Sequence, residues 1–400
     1  MAQGDAQDRP DGRPSNTVAD YAWGRAAPRR TKRKVPRSPA TARPPAMRRP
    51  GLDLLRVLAV AAVAWFHFGF RMQVTGEAGE ALVGDPGGLA RYGYLGVSVF
   101  FAISGYVITM STEGRDPIAF AVARFARLWP VFLACMTLTA LVTLATPGFG
   151  FTVTLPQVLA NATMLAPFLG QPLVDGAYWS IVVEIIFYGW VFVLMSVGLW
   201  HRHRVMIAIM WVLLAGIENL WLDSDLLRKL LLLEFAGVFA FGIALRAWEH
   251  GEPMALPVTM VALLQAVSSS INFAKSLAPL YDEPFSILLA AMFTLGGLLL
   301  LALLTRVPEK ALPTRLCAVA GRATYPFYLL HQHIGYAGFL LLTPLAGFAG
   351  AATIIVAALT AMALFLTLTL ERPAGRLLRE AGDRLDARFR TYLAGGRAGA

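Results

Sequence analysis

Two ionisable side chains, Arg56 and His67, interrupt the apolar stretch LDLLRVLAVAAVAWFHF of residues 52 to 68. An imidazole titrates near neutral pH and can take a proton from an attacking hydroxyl, whereas a guanidinium stays charged and pairs with carboxylates or phosphates. In an α-helix, a separation of 11 positions leaves the two side chains about 20° from alignment and about 16 Å apart along the axis. The stretch therefore predicts one helical face with a cation at one depth and a titratable imidazole at another.

Further charged groups stand inside or beside other apolar runs. The segment RFARLWP supplies Arg124 and Arg127 just before one run, and YWSIVVEIIFY supplies Glu184 within another. Ionisable groups inside a membrane span are unfavourable and usually face a protein interior or a wet cavity. Each position also has a structural alternative. Arg56 can reach lipid phosphates and His67 can be a satisfied residue at the membrane interface. The arginine pair can anchor an inner loop, and Glu184 can hydrogen-bond two helices together.

The composition is that of an integral membrane protein, because 56% of the 400 residues are hydrophobic and only 15% are charged, with a mean hydropathy of +0.57. Apolar runs of about 18 to 22 residues match the thickness of a bilayer core. The sequence predicts an all-α, polytopic bundle of about ten transmembrane helices, in which the Leu-rich spans 229–247 and 285–304 face lipid. The predicted spans are 51–71, 93–111, 128–146, 178–198, 205–221, 229–247, 256–273, 285–304, 323–343 and 347–370.

The net charge of +10 is concentrated at the chain ends and indicates membrane flanks rather than nucleic-acid binding, since the first 49 residues hold 12 Lys or Arg. The pattern predicts a disordered, basic segment over 1–48, a membrane domain over 49–373 and a basic tail over 374–400. With the N-terminus inside, 29 of the 35 Lys and Arg fall on the cytoplasmic side. The positive-inside rule then predicts a multi-pass protein of the inner (cytoplasmic) membrane with both termini in the cytoplasm.

Cysteine and histidine usage favours neither a disulfide framework nor a metal site. The two cysteines, Cys135 and Cys317, lie in or beside apolar segments. No HExxH spacing or cysteine cluster accompanies His67, His331 and His333. We expect no bound metal.

Six motifs in order resemble those of the acyltransferase family 3 integral-membrane acyltransferases. LDLLRVLAVAAVAWFH resembles the first helix of that family, YLGVSVFFAISGYVIT the second, and RFARLWP the RxxR segment before the third. YWSIVVEIIFY resembles its Trp-Ser and Glu helix, and YPFYLLH and ERP its closing motifs. The resemblance covers roughly residues 51 to 375. Because about 30 residues follow the last span, we expect the stand-alone form, without the soluble esterase-like domain that some members append.

The resemblance implies transfer of an acyl group, commonly acetyl, from cytoplasmic acyl-coenzyme A to a hydroxyl of a carbohydrate or related acceptor, such as an exopolysaccharide or lipopolysaccharide sugar. Acyl-coenzyme A is then a cosubstrate, and no bound cofactor is expected. Arg56, Arg124 and Arg127 suit the phosphates of the donor, because guanidinium groups match phosphate oxygens. His67 suits the role of general base for the acceptor hydroxyl.

Further residues are assigned by the same resemblance. Glu184 is expected at a depth similar to His67, where it orients or charges His67 or holds the acceptor hydroxyl. Its neighbours Trp179, Ser180 and Tyr188 shape the pocket. His331 is a candidate donor contact, with helix packing as the alternative, and packing is the expectation for His333.

The competing class is a polytopic transporter, in which the buried Arg, His and Glu form a relay. A non-catalytic component of polysaccharide export is a further alternative. The two halves show no internal repeat typical of many transporters, and the candidate chemical residues concentrate in the first four spans. The sequence therefore favours the enzyme.

Overall fold

The computed structural model describes residues 49–77, 88–146, 148–218 and 224–371. The predicted disordered segment 1–48, the predicted tail 374–400 and the end of the ERP motif lie outside these ranges. The described part consists of helices joined by loops, without β-strands. Its α-helices are α1 (Pro50–Phe66), α2 (Met72–Thr75), α3 (Leu95–Thr112), α4 (Pro117–Ala145), α5 (Leu155–Ala162), α6 (Trp179–Ser196), α7 (Leu199–Ile217), α8 (Asp225–Leu230), α9 (Ala236–Glu249), α10 (Ala255–Tyr281), α11 (Ile287–Leu304) and α12 (Thr314–Leu366).

Local capping residues set where several helices begin. Asp116 precedes α4 and accepts a hydrogen bond from the amide of Ala119, while Pro117 occupies the first helical turn. Thr154 and Gln157 form a reciprocal capping box at the start of α5. These side chains satisfy amide groups that have no partner within the helix.

Seven helical segments of the described part are long and apolar enough to cross a membrane, so the predicted count of about ten is not confirmed. The predicted span 229–247 is divided, because α8 ends at Leu230 and α9 begins at Ala236 with only 14 residues. The last two predicted spans are joined in α12, whose 53 residues contain a non-helical kink at Gly347.

Helix α9 forms the centre of the bundle. Each residue from Ala236 to Ala247 is buried, and a Cβ atom on Gly105 of α3 would overlap the carbonyl oxygen of Phe239. Small residues permit this close approach of two backbones. The expectation that 229–247 faces lipid is therefore wrong for this part of the span, because close packing against α3 buries it. Helix α11, in contrast, exposes Leu288 and Leu303.

Helix α1 runs alongside the first half of α12 in the same direction. A Cβ atom on Gly321 would meet Asp53 near the start of α1, and one on Gly335 would meet Phe68 beyond its end. Helix α1 therefore presents Arg56 and His67 to two well-separated turns of α12.

The connection between α4 and α6 enters the protein interior. A short helix, α5, forms part of this connection. In its last turn, the side chain of buried Asn161 donates to the carbonyl oxygen of Pro172 and accepts from the amide of Val174. Fully buried Asp175 accepts a hydrogen bond from the amide of His333 at 2.9 Å. Helix α6 consequently begins inside the bundle, beside the middle of the first half of α12.

Candidate functional site

A small cavity, here called the arginine cavity, lies where α1, α3, α4, α6 and α12 meet. Its volume is about 100 Å³, below the range usual for whole small-molecule ligands. It contains all three arginines that the sequence analysis assigned to donor binding. Its polar lining consists of Arg56, Ser104, Arg124, Arg127, Ser180, Glu184, Tyr188, Thr324, Tyr325 and Tyr328.

The three guanidinium groups of the arginine cavity are only partly neutralised. Arg56 donates to Asp53 at 2.8 Å, but Arg127 is exposed and lies close enough to Arg56 and Arg124 to repel both. The Nε atom of Arg124 is buried without a hydrogen-bond partner. Unsatisfied guanidinium donors grouped in this way favour binding of an anion with several oxygen atoms.

Glu184 belongs to the arginine cavity. Its Oε1 accepts hydrogen bonds from Ser104 Oγ at 2.7 Å and from the hydroxyl of Tyr188. His67, in contrast, lines a separate cavity. The structure thus does not bring Glu184 to the depth of His67, because α6 starts inside the bundle.

The second cavity, here called the histidine cavity, is larger, with a volume of about 540 Å³. The charged groups in its wall are two arginines and one carboxylate: Arg71 pairs with Glu77 at 2.8 Å and Arg228 with Glu218 at 2.9 Å, and Glu234 also lines the wall. Most of its remaining polar groups are hydroxyls and an amide, and aromatic rings complete the wall. These uncharged lining residues include Tyr94, Ser98, Trp179, Ser269, Ser270, Asn272, Phe273, Ser276, Tyr281 and Tyr328.

His67 begins a five-residue π-helical turn that ends at Arg71. Such widened turns occur frequently at functional sites. The Nδ1 atom of His67 lies 3.1 Å from the hydroxyl of Tyr336, which also donates to the carbonyl oxygen of His67 at 3.5 Å. One assignment of protons satisfies both contacts: Nδ1–H donates to the tyrosine oxygen. That tautomer leaves a lone pair on Nε2, as a general base requires.

His331 lies beside His67, with the ring centroids 4.9 Å apart. Its Nδ1–H donates to the carbonyl oxygen of Tyr328 at 2.6 Å, and its buried Nε2 has no hydrogen-bond partner. The structure therefore brings His331 to the general-base candidate and not to the three arginines. His333 is buried, and its ring packs on Phe151 at 4.1 Å between centroids.

Two residues, Val97 and Tyr328, line both cavities. The other predicted pocket residues divide between them, because Trp179 lines the histidine cavity whereas Ser180 and Tyr188 line the arginine cavity. Cys135 and Cys317 are buried free thiols. Across the described ranges, no group of three or more His, Cys, Asp or Glu side chains is arranged to hold a metal ion.

Sequence reasoning missed several residues that line the two cavities or pair with their lining. Asp53 stands three positions before Arg56, the spacing at which side chains meet on a helix, and that spacing could have identified the pair. The polar run SSSIN at residues 268–272 within an apolar span likewise indicates a wet face of α10. No local signal marked Tyr328, since its role depends on which helices meet around it.

Comparison with known proteins identifies the domain. The family model of the acyltransferase domain of acyltransferase family 3 matches residues 49–372. A curated relative, "Acyltransferase MdmB" of Streptomyces mycarofaciens, is 26% identical over 184 residues, which cover 44% of this chain and 45% of the relative. The match thus spans less than half the length of that relative. No solved structure matches the chain.

Proposed function

Because the chain belongs to acyltransferase family 3 and carries its acyltransferase domain, we propose that it transfers an acyl group from acyl-coenzyme A to an acceptor hydroxyl within the membrane bundle. The first candidate for the acyl group is acetyl. Arg56, Arg124 and Arg127 bind the donor, and His67 is the general base.

The arginine cavity supports the assignment of the donor. Coenzyme A carries several phosphates at one end and its thioester at the end of a long, uncharged arm. Exposed Arg127 and the unpartnered, buried Nε of Arg124 suit phosphate oxygens of the donor. The volume of about 100 Å³ suits an acyl group and the end of the arm but not the nucleotide.

The histidine cavity supports the assignment of the acceptor. Its volume of about 540 Å³ lies in the range of small-molecule sites, and His67 in its wall has a lone pair on Nε2 in the tautomer assigned above. In the proposed step, Nε2 removes the hydroxyl proton as the hydroxyl oxygen forms a bond to the thioester carbonyl carbon. The carbon–sulfur bond then breaks, and the departing thiolate takes the proton from His67.

The observation that carries the proposal is the shared wall between a cationic cavity and a cavity lined by the base. A donor held on one side and an acceptor on the other can meet only at this wall. Neighbouring His331 acts on His67 as a positioning residue, because its own tautomer is fixed by the carbonyl oxygen of Tyr328.

The direct test is to incubate the purified protein in lipid nanodiscs with acetyl-coenzyme A and to measure binding, release of free coenzyme A and acyl transfer. We expect donor binding in the wild type and release of the thiol that depends on His67. A transporter or a non-catalytic component of polysaccharide export should cleave no thioester, and that result would contradict the proposed function. Mass spectrometry of surface glycans from cells with and without the protein then tests a carbohydrate acceptor.

We further propose that the protein resides in the inner membrane, with both termini and the arginine cavity toward the cytoplasm. Single cysteines at Gln171 and at Arg115, in a background that lacks Cys135 and Cys317, test this orientation in whole cells with a membrane-impermeant thiol reagent. Position 171 should label from outside and position 115 should not. The reverse pattern would invert the topology and put acceptor binding in the cytoplasm.

A further inference from the structure

The side chain of Tyr328 stands between the two cavities. It lines both the arginine cavity and the histidine cavity, as does Val97 on the facing helix α3. A thioester held by the arginines must pass these two side chains to come within reach of His67. The valine is small, so the tyrosine ring forms the larger part of the barrier.

Hydrogen bonds hold the Tyr328 ring in this position. Its hydroxyl lies 2.7 Å from Ser180 Oγ and donates to the carbonyl oxygen of Ala177 at 3.0 Å, and the residue is buried. Both partners are near the inward-folded start of α6. The backbone of Tyr328 remains in α12 and accepts the hydrogen bond from His331. The ring can therefore turn aside by breaking two hydrogen bonds and its contact with the His331 ring, 5.3 Å away between centroids, while the backbone stays in place.

We propose that Tyr328 is a positioning residue that closes the passage between the donor and acceptor cavities until the acyl arm of the donor displaces its ring. This inference rests on the proposed function. An enzyme that transfers an acyl group to a hydroxyl must keep water from the thioester, and an enclosed site prevents such side reactions. The histidine cavity is roomy and polar enough to hold water, so the barrier must lie on the donor side of His67.

Hydrolysis of the thioester by water is the side reaction that the test measures. Water in the histidine cavity would give a proton to His67 while its oxygen bonds to the thioester carbonyl carbon. Cleavage of the carbon–sulfur bond would then release the free acid and, after protonation, the thiol of coenzyme A. With acetyl-coenzyme A as the probe and no acceptor present, release of free thiol reports this hydrolysis.

We expect Tyr328→Ala, measured as purified protein in nanodiscs, to raise acceptor-independent hydrolysis by about tenfold or more, because it opens the passage. Tyr328→Phe should give a smaller rise, since it keeps the ring and loses the bonds to Ser180 and Ala177. Tyr106→Ala is the matched control. Tyr106 is also buried, its hydroxyl donates to Glu249, and it lines neither cavity, so its loss should leave hydrolysis at the wild-type level.

The double variant His67→Ala/Tyr328→Ala should lose the additional hydrolysis, because water that enters from the histidine cavity is activated there. Hydrolysis that persists without His67 would show that water enters elsewhere and would overturn the proposal. So would a Tyr328→Ala protein that binds acetyl-coenzyme A normally and hydrolyses it at the wild-type rate. Failure of the wild type to bind acetyl-coenzyme A would instead overturn the proposed function, and this inference with it.

Discussion

The arginine cavity and the histidine cavity share a wall but differ in size and charge. The smaller cavity gathers three guanidinium groups around one carboxylate, Glu184, and leaves a guanidinium Nε atom unpartnered. The larger cavity is lined mostly by hydroxyls, an amide and aromatic rings. The arginines in its wall are paired with glutamates, and the carboxylate of Glu234 adds no positive charge. The first is suited to a polyanion, and the second to a neutral ligand with several hydrogen-bonding groups.

This difference gives each proposed substrate its own recognition chemistry. Charge selects the donor, and neutral hydrogen bonding together with ring contacts selects the acceptor. Only the reacting atoms have to meet, at the wall formed by Val97 and Tyr328. Substitutions in one cavity should therefore alter binding of one substrate and leave binding of the other nearly unchanged.

The largest effect is expected at His67, on the acceptor side. His67→Ala should lower the rate of acyl transfer by about 10²- to 10⁴-fold, as is typical when a general base is removed. Donor affinity should stay within about twofold, because the arginines are untouched. The measurement compares single-turnover transfer with binding of coenzyme A by calorimetry. Wild-type turnover in this variant would remove His67 from the mechanism.

Substitution of the donor-binding arginines should have the opposite effect. Donor binding should weaken, and the rate of acyl transfer from the bound donor should change little. Loss of one charge-assisted hydrogen bond, at about 1.5 to 3 kcal/mol, predicts that Arg124→Ala or Arg127→Ala weakens binding of coenzyme A by about 10- to 100-fold. Lys at either position should restore only part of the affinity, since it keeps the charge and loses the forked geometry.

The control for the arginine variants is Arg204→Ala, which removes a positive charge that is paired with Glu252 in another part of the bundle. Its donor affinity should match that of the wild type. If Arg204→Ala weakens donor binding as much as Arg124→Ala or Arg127→Ala does, or if the lysine variants keep full donor affinity, then overall positive charge attracts the donor and no specific arginine site binds it.

A smaller effect is expected at His331, where substitution tests whether this residue acts on His67 or contacts the donor. His331→Phe keeps a ring beside His67 but loses the hydrogen bond to the carbonyl oxygen of Tyr328 that fixes the ring, so we expect about a three- to tenfold fall in kcat, the size of one neutral hydrogen bond. The same change at His333, which packs on Phe151, should leave kcat within about twofold. If His331 contacts the donor instead, affinity for coenzyme A should fall while kcat stays constant.

Much of this arrangement could be predicted from local patterns. Apolar runs located most helices, since a bilayer core requires about 20 apolar residues. Helical periodicity put Arg56 and His67 on one face, and α1 remains α-helical up to Phe66, so both side chains face α12. The RxxR spacing likewise placed Arg124 and Arg127 on neighbouring turns of α4, where both line one cavity.

The depth of Glu184 could not be predicted in the same way. Counting residues from the start of a predicted span assumes that the span begins at the membrane surface. Helix α6 instead begins inside the bundle, because Asp175 bonds the amide of His333, 158 positions away. Pairings of this length leave no local pattern. The same limit applies to Tyr328, whose position between two cavities depends on five helices.

Glu184→Gln tests this corrected depth and has the smallest expected effect. The amide oxygen of glutamine can still accept from Ser104 and Tyr188, so the geometry is kept and only the negative charge is removed. With three arginines nearby, the cavity becomes more positive, and an anionic donor should bind about two- to fivefold more tightly, as expected for about 1 kcal/mol or less of partly screened Coulomb energy. The gain should shrink as ionic strength rises. If Glu184 acts on His67 instead, the variant should lose about 10²-fold or more in the transfer rate with unchanged donor affinity. That outcome would show that the Glu184 carboxylate acts together with His67 on the acceptor.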